Sequence, residues 1–168
     1  MELEKPSKIT CSVVAIDHTN MYYTVCSCCE RTLFDPNNGG QNPSSSSSST
    51  SQQCKYCTFN NSINPGSKRV FRILMSIATD SEVFSVIMFD RIARVLFGCS
   101  ADQFFDLTKL HPRAAVDAGR TLEGELLRVT LSKPKNGNAQ HLRVVNVVPF
   151  SSVFQPVFPT LKQHYRLK

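Results

Sequence analysis

The sequence predicts a mainly β domain: a small closed barrel of about five strands, with a short helix between strands 3 and 4 and a metal-binding segment inserted near the start. Three observations carry that prediction. Strand-like alternation stops near residue 26 and resumes at Lys68. The interval contains Cys26-x-x-Cys29 and Cys54-x-x-Cys57, two pairs at zinc-ligand spacing. The 168 residues, 41% hydrophobic and 19% charged, are enough to bury one core and require no second domain.

Residues 1–8 read as an N-terminal tail and 9–150 as the domain. Ile9-Thr10-Cys11-Ser12-Val13-Val14-Ala15-Ile16-Asp17 reads as a strand, and His18-Thr19-Asn20 turns the chain into a short strand at 21–25. The inserted segment occupies about 26–66 and contains a Ser-rich loop, 43–53, where Pro43 precedes six serines. Such a tract builds no core and is expected to be a flexible excursion. It leaves 24 residues between Cys29 and Cys54, which a metal tolerates because loop-closure entropy grows only logarithmically with length.

After Pro65-Gly66, residues 69–78 and 83–89 flank an Asp80-Ser81 turn as a hairpin. Asp90 is the expected N-cap of a helix over 91–97, with Gly98 after its end, and Ser100 is the expected cap of the segment that follows to Leu107. Residues 122–131 and 141–148 read as two strands joined by the polar turn 133–138. Residues 151–168 read as a C-terminal tail, because Pro156 and Pro159 are each placed to interrupt a helix. About five strands with that helix match the Greek-key barrel called the OB-fold.

The cysteines narrow the chemistry. A secreted disulfide framework needs a signal peptide, yet residues 1–25 carry Glu2, Glu4, Lys5, Lys8 and Asp17 and no unbroken apolar run. A redox Cys-x-x-Cys opens a helix in a βαβ pattern, whereas Cys26 follows a strand-like run and Cys54 a polar tract. Four neighbouring thiolates repel one another without a metal, and Zn²⁺ pairs them in a closed tetrahedron, so one structural zinc ion is expected. Cys28 lies between the two favoured ligands and is an alternative to Cys29. Cys11 and Cys99 read as ordinary buried thiols.

The net charge of +6 is uneven. Residues 67–168 hold fifteen Lys or Arg against eight Asp or Glu, while residues 1–66 hold four against five. A basic field favours polyanions, although a solvated basic face is the plainer alternative. No run of about 18 apolar residues is present, so no membrane partner is expected. His18, His111, His141 and His164 are scattered, no nucleophile or paired-acid motif occurs, and no glycine-rich phosphate loop is present, so the chain is not expected to be an enzyme.

Tyr23-Thr24-Val25-Cys26, Cys54-Lys55-Tyr56-Cys57, Phe71-Arg72-Ile73-Leu74-Met75-Ser76-Ile77, Met88-Phe89-Asp90, Leu96-Phe97-Gly98-Cys99-Ser100-Ala101 and the closing Leu142-Arg143-Val144-Val145-Asn146-Val147-Val148-Pro149 occur in this order. Together they resemble the C-terminal DNA-binding domain of the replication protein A large subunit, an OB-fold with a zinc ribbon, over residues 9–150. The chain looks like a small single-domain relative. The resemblance implies a nuclear single-stranded DNA-binding protein of DNA replication, repair or recombination, with other replication protein A type subunits or OB-fold proteins as partners. The interrupting prolines speak against the C-terminal helix through which that family's large subunit assembles.

An OB barrel binds single strands by laying phosphates along a basic groove and stacking bases on aromatic rings. The candidates here are Tyr56, Phe71, Arg72, Phe89, Arg91, Arg128, Lys133, Lys135 and Arg143. Tyr56 sits between two zinc ligands, where a ring is held at the surface or covers the metal. Phe84 shares a strand face with Val86 and Met88 and reads as core. Single-stranded RNA is not separated from DNA by these features. The rival reading is a zinc-stabilised OB-fold protein-interaction module that has lost nucleic-acid binding.

Overall fold

Side chains alternate inward and outward along each strand, and this period builds the barrel. In β3 (Ser67–Ala78), Phe71, Ile73, Met75 and Ile77 are fully buried, while Arg72, Leu74 and Ser76 between them are half-exposed. In β5 (Leu126–Ser132), Leu127, Val129 and Leu131 point inward in the same way. The computed structural model describes residues 5–33, 54, 56–57, 66–134 and 140–166. Within them lie four further strands, β1 (Ser7–Ile16), β2 (Tyr22–Cys26), β4 (Val83–Phe89) and β6 (Leu142–Pro149). Four helices are described, α1 (Asp90–Phe97), α2 (Ala101–Leu110), α3 (Ala114–Leu122) and α4 (Val157–His164).

The sheet order is β1-β5-β6-β4-β3-β2, and an additional β1–β3 pairing closes five strands into a barrel. Only β4–β6 is parallel among the pairings of those five strands. This is the OB-fold barrel read from the sequence. Closure matters physically because it satisfies backbone groups that an open sheet would leave on its edges. The chain divides into two compact units, residues 1–21 with 71–168, and residues 22–70. The first contains the barrel and the helices, and its core includes a cluster of three rings. Phe71 and Phe97 have centroids 4.8 Å apart, and Phe97 and Phe104 meet edge to face at 5.2 Å.

The helix expected over 91–97 and the Ser100-capped segment both stand between β4 and β5, as α1 and α2, and α3 follows them. The strand expected over 122–131 begins only at Leu126. The buried residues Ala114, Ala118 and Leu122 recur every four positions, a helical spacing that claims Leu122 for α3. Ser100 caps α2 as expected, in a reciprocal box with Gln103. Asp90 does not cap α1: Phe89 occupies the N-cap position, and the Asp90 carboxylate instead accepts from the Phe71 N–H at 3.0 Å and from Arg94 at 2.9 Å.

Gly98 ends α1 at φ 69°, and a Cβ there would stand 2.5 Å from Pro156, so both the left-handed turn and the close approach require glycine. The expectation that Pro156 and Pro159 interrupt a helix is corrected. Pro156 is the N-cap of α4 and Pro159 lies in its first turn, where backbone N–H groups have no helical acceptor to lose. Val157 and Leu161 are buried as α4 packs on α3 and α1. The Ser-rich loop 43–53 and residues 135–138 of the last turn lie outside the described residues.

Candidate metal centre and nucleic-acid interface

In the unit spanning 22–70, β2 delivers Cys26 at its last position and a turn follows at once. The Glu30 N–H donates to the Cys26 carbonyl and the Cys26 N–H to the Arg31 carbonyl, folding the knuckle back on itself. This brings Cys29 round to face Cys54, with sulfurs 3.6 Å apart, while Cys26 faces Cys57 at 3.7 Å. All four Sγ atoms lie within 4.8 Å of one another. A tetrahedron of metal–thiolate bonds of about 2.3 Å has an edge of roughly 3.8 Å, so the spacing fits a shared metal ion. The four predicted ligands are the four that converge. Cys28 is exposed and outside the cluster, so the sulfur that joins the other three is that of Cys29.

The local backbone prepares the thiolates. The Cys29 N–H brings the Cys26 thiol down to about 7 against the opposing effect of burial, and the Cys28 N–H, 3.4 Å from the sulfur, adds to it. Burial and the facing cysteines push Cys57 up. At Cys29 the Arg31 N–H lowers the thiol, but burial and Cys54 prevail and the net direction is upward. A cation held among the cysteines draws all four to the charged form. Tyr56 is half-exposed, and the Arg31 guanidinium lies 3.6 Å from its ring centroid. That stacking uses Arg31, a residue the sequence reading passed over, and it holds one face of Tyr56 already covered.

In the barrel unit, register places the outward candidates together. Arg72 on β3 pairs with Phe89 on β4, and Ile87, two positions earlier on the same face, pairs with Arg143 on β6. The Arg143 guanidinium sits 5.0 Å from the Phe89 centroid. Two cations and one ring thus share the outer face of adjacent strands, an arrangement able to stack a base and hold its phosphate. Phe71 is corrected from the candidate set: it is fully buried in the aromatic cluster, so no base reaches it. Alternation is the reason, since outward Arg72 forces its neighbour Phe71 inward. Phe84, expected in the core beside Val86 and Met88, is only half-buried.

The other candidates lie apart. Arg91 is exposed on α1, and Lys133 is exposed just after β5. Lys135 falls outside the described residues. Arg128 stands on β5 opposite Val148, and its guanidinium lies 5.9 Å from the ring of Phe150. Phe150 is 60% exposed, and sequence reasoning missed it because the ring directly follows the strand end at Pro149, where alternation no longer assigns a face.

No protein-family description matches this sequence, and neither does any curated protein. Solved structures share its fold, among them two replication protein A assemblies. A replication protein A heterotrimer bound to single-stranded DNA superposes with a TM-score of 0.63 at 16% identity, over 97% of this chain and 35% of that chain. Yeast RPA bound to single-stranded DNA superposes with a TM-score of 0.62 at 15% identity, over 97% of this chain and 86% of that one. This chain thus spans about a third of the length of the first of these, 35%. At such identity the likeness speaks for the fold alone.

Proposed function

We propose that this chain is a non-catalytic, sequence-tolerant single-stranded DNA-binding protein of the replication protein A type, held in shape by one structural zinc ion. The observation that carries the reading is the outward Arg72, Phe89 and Arg143 cluster on a barrel whose charge is strongly basic. Stacking on Phe89 is indifferent to base identity, and the flanking guanidiniums pair with phosphate in a salt-sensitive way. The two superposed structures, each with bound single-stranded DNA, support it. Four thiolates in a closed set favour zinc over hard cations, which prefer oxygen ligands. When bound, zinc supplies a cross-link and no reactive position, because Cys26, Cys29, Cys54 and Cys57 fill a tetrahedron.

The same reading puts the protein in the nucleus, in DNA replication, repair or recombination, with other replication protein A type subunits or OB-fold proteins as partners. Helix α4 removes the proline objection to assembly through the C-terminus. The rival, a protein-interaction module, draws support from Leu126, Val148 and Phe150, which are 47%, 50% and 60% exposed. A fluorescence-anisotropy titration of labelled oligo-dT with metal-loaded protein separates the two. Binding is expected to saturate, weaken with salt and exceed duplex binding, and Phe89→Ala is expected to weaken it by about 1–3 kcal/mol. Arg143→Ala should lower the salt slope by about one unit. No binding at low salt by folded, metal-replete protein rejects the strand-binding reading in favour of the module.

A further inference from the structure

Closure of the barrel is incomplete at one place. β1 pairs with β5 from Ser7 onward, but its pairing with β3 starts only at Ser12, opposite Ala78. Residues 7–11 therefore have a strand partner on one edge and none from β3 on the other. β4 repeats the pattern, pairing with β3 from Val83 but with β6 only from Val86. Both open edges border a cavity of about 650 Å³ lined by the apolar side chains of Ile9, Phe84, Leu131 and Leu142 together with Asp80 and Glu82 of the β3–β4 turn. This location explains why Phe84 is half-exposed: it faces the cavity rather than the closed core.

The charge at this cavity opposes that of the rest of the barrel. Asp80 and Glu82 are exposed, and neither carboxylate takes part in the ion pairs of the described residues. In a region where Lys and Arg outnumber Asp and Glu by fifteen to eight, two carboxylates outside the ion pairs of the described residues, on a cavity that mixes apolar with hydroxyl-bearing side chains, repel a polyanion and attract a cation. Nucleic acid is thus a poor occupant. We propose that this groove binds an extended protein segment in which apolar and basic residues alternate. Its backbone adds to the open edge of β1, an apolar side chain fills the space beside Phe84, and Lys or Arg side chains pair with Asp80 and Glu82. Strand addition of this kind takes affinity from main-chain hydrogen bonds and specificity from side-chain pockets two residues apart.

The probe is a fluorescein-labelled decapeptide of alternating leucine and lysine, titrated against the full metal-loaded chain, with a leucine–glutamate decapeptide as its counterpart. Saturable binding of the lysine peptide alone is expected, weakened about tenfold or more by the double substitution Asp80→Lys and Glu82→Lys. Both positions are exposed turn residues, so circular dichroism should be unchanged. Hydrogen exchange at the amides of residues 7–10 should slow when the lysine peptide is added. Equal binding of the two peptides overturns the proposal, as does full affinity in the double variant or unchanged exchange at those amides. A concentration-dependent dimer abolished by the double variant would make a second copy the occupant, which overturns it.

Discussion

In the barrel unit the buried side chains include Phe71, Phe97, Phe104, Ile73, Met75 and Met88, all at or near zero exposure. In the unit of residues 22–70 the buried cluster consists of Cys26, Leu33, Cys54 and Cys57, with Cys29 packed against it. Burying one large apolar side chain contributes about 1.5–3 kcal/mol, whereas fixing one residue's backbone costs roughly 1–2 kcal/mol. Among the described residues of this unit, the buried apolar side chains besides the cysteines are Val25, Leu33 and Val70, few beside those of the barrel. The barrel has an apolar core large enough to hold itself together, whereas under the proposed function the cysteine unit depends on a bond between its thiolates and a metal. Stability in the two regions thus answers to different chemistry, although one chain carries both.

The sharpest way to separate the regions is to remove the metal. Chelation, or Cys54→Ser, should abolish the one-per-chain metal content and the amide protection of the cysteine unit, while β3 from Phe71 onward and strands β4 to β6 keep slow exchange. Structural zinc in such knuckles contributes on the order of 10–16 kcal/mol, so this is the largest effect expected. Acid should act in the same direction, because protons compete with the metal for the four thiolates. Survival of metal binding in Cys54→Ser would overturn the ligand assignment. Phe97→Ala reverses the pattern: chemical denaturation should show a loss of about 3–5 kcal/mol in the barrel with metal content unchanged. The smallest change is Ser100→Ala, which removes one half of the capping box and should cost about 1 kcal/mol in the same denaturation measurement. A coupled loss of metal in either barrel variant would show that the two regions do not stabilise independently.

Local signals were legible wherever a residue's role depends on near neighbours in sequence. The Cys-x-x-Cys spacing, the Ser100 cap, the Gly98 terminus and the Asp80-Ser81 hairpin turn all appear in the structure where the residues placed them. Failures came where a local rule has two outcomes. Asp90 suits a cap, but the Phe71 N–H and Arg94 compete for its carboxylate across the fold. Proline breaks a helix interior yet opens a helix readily, and only the packing of Val157 and Leu161 selects the second outcome for Pro156 and Pro159.

The candidate interface was the least legible part for the same reason. Alternation says that Phe71 and Arg72 face opposite ways without saying which is inside; the rings of Phe97 and Phe104 decide it. By itself the sequence determined the strand period, the cysteine quartet and the basic bias of residues 67–168, since each is a property of composition or short spacing. Tertiary structure alone decided that β1 closes on β3, that Arg143 reaches Phe89, and that residues 7–11 keep an open edge beside Asp80 and Glu82. Those pairings join residues far apart in the chain, and their free energy depends on which surfaces meet, a quantity that no local pattern encodes.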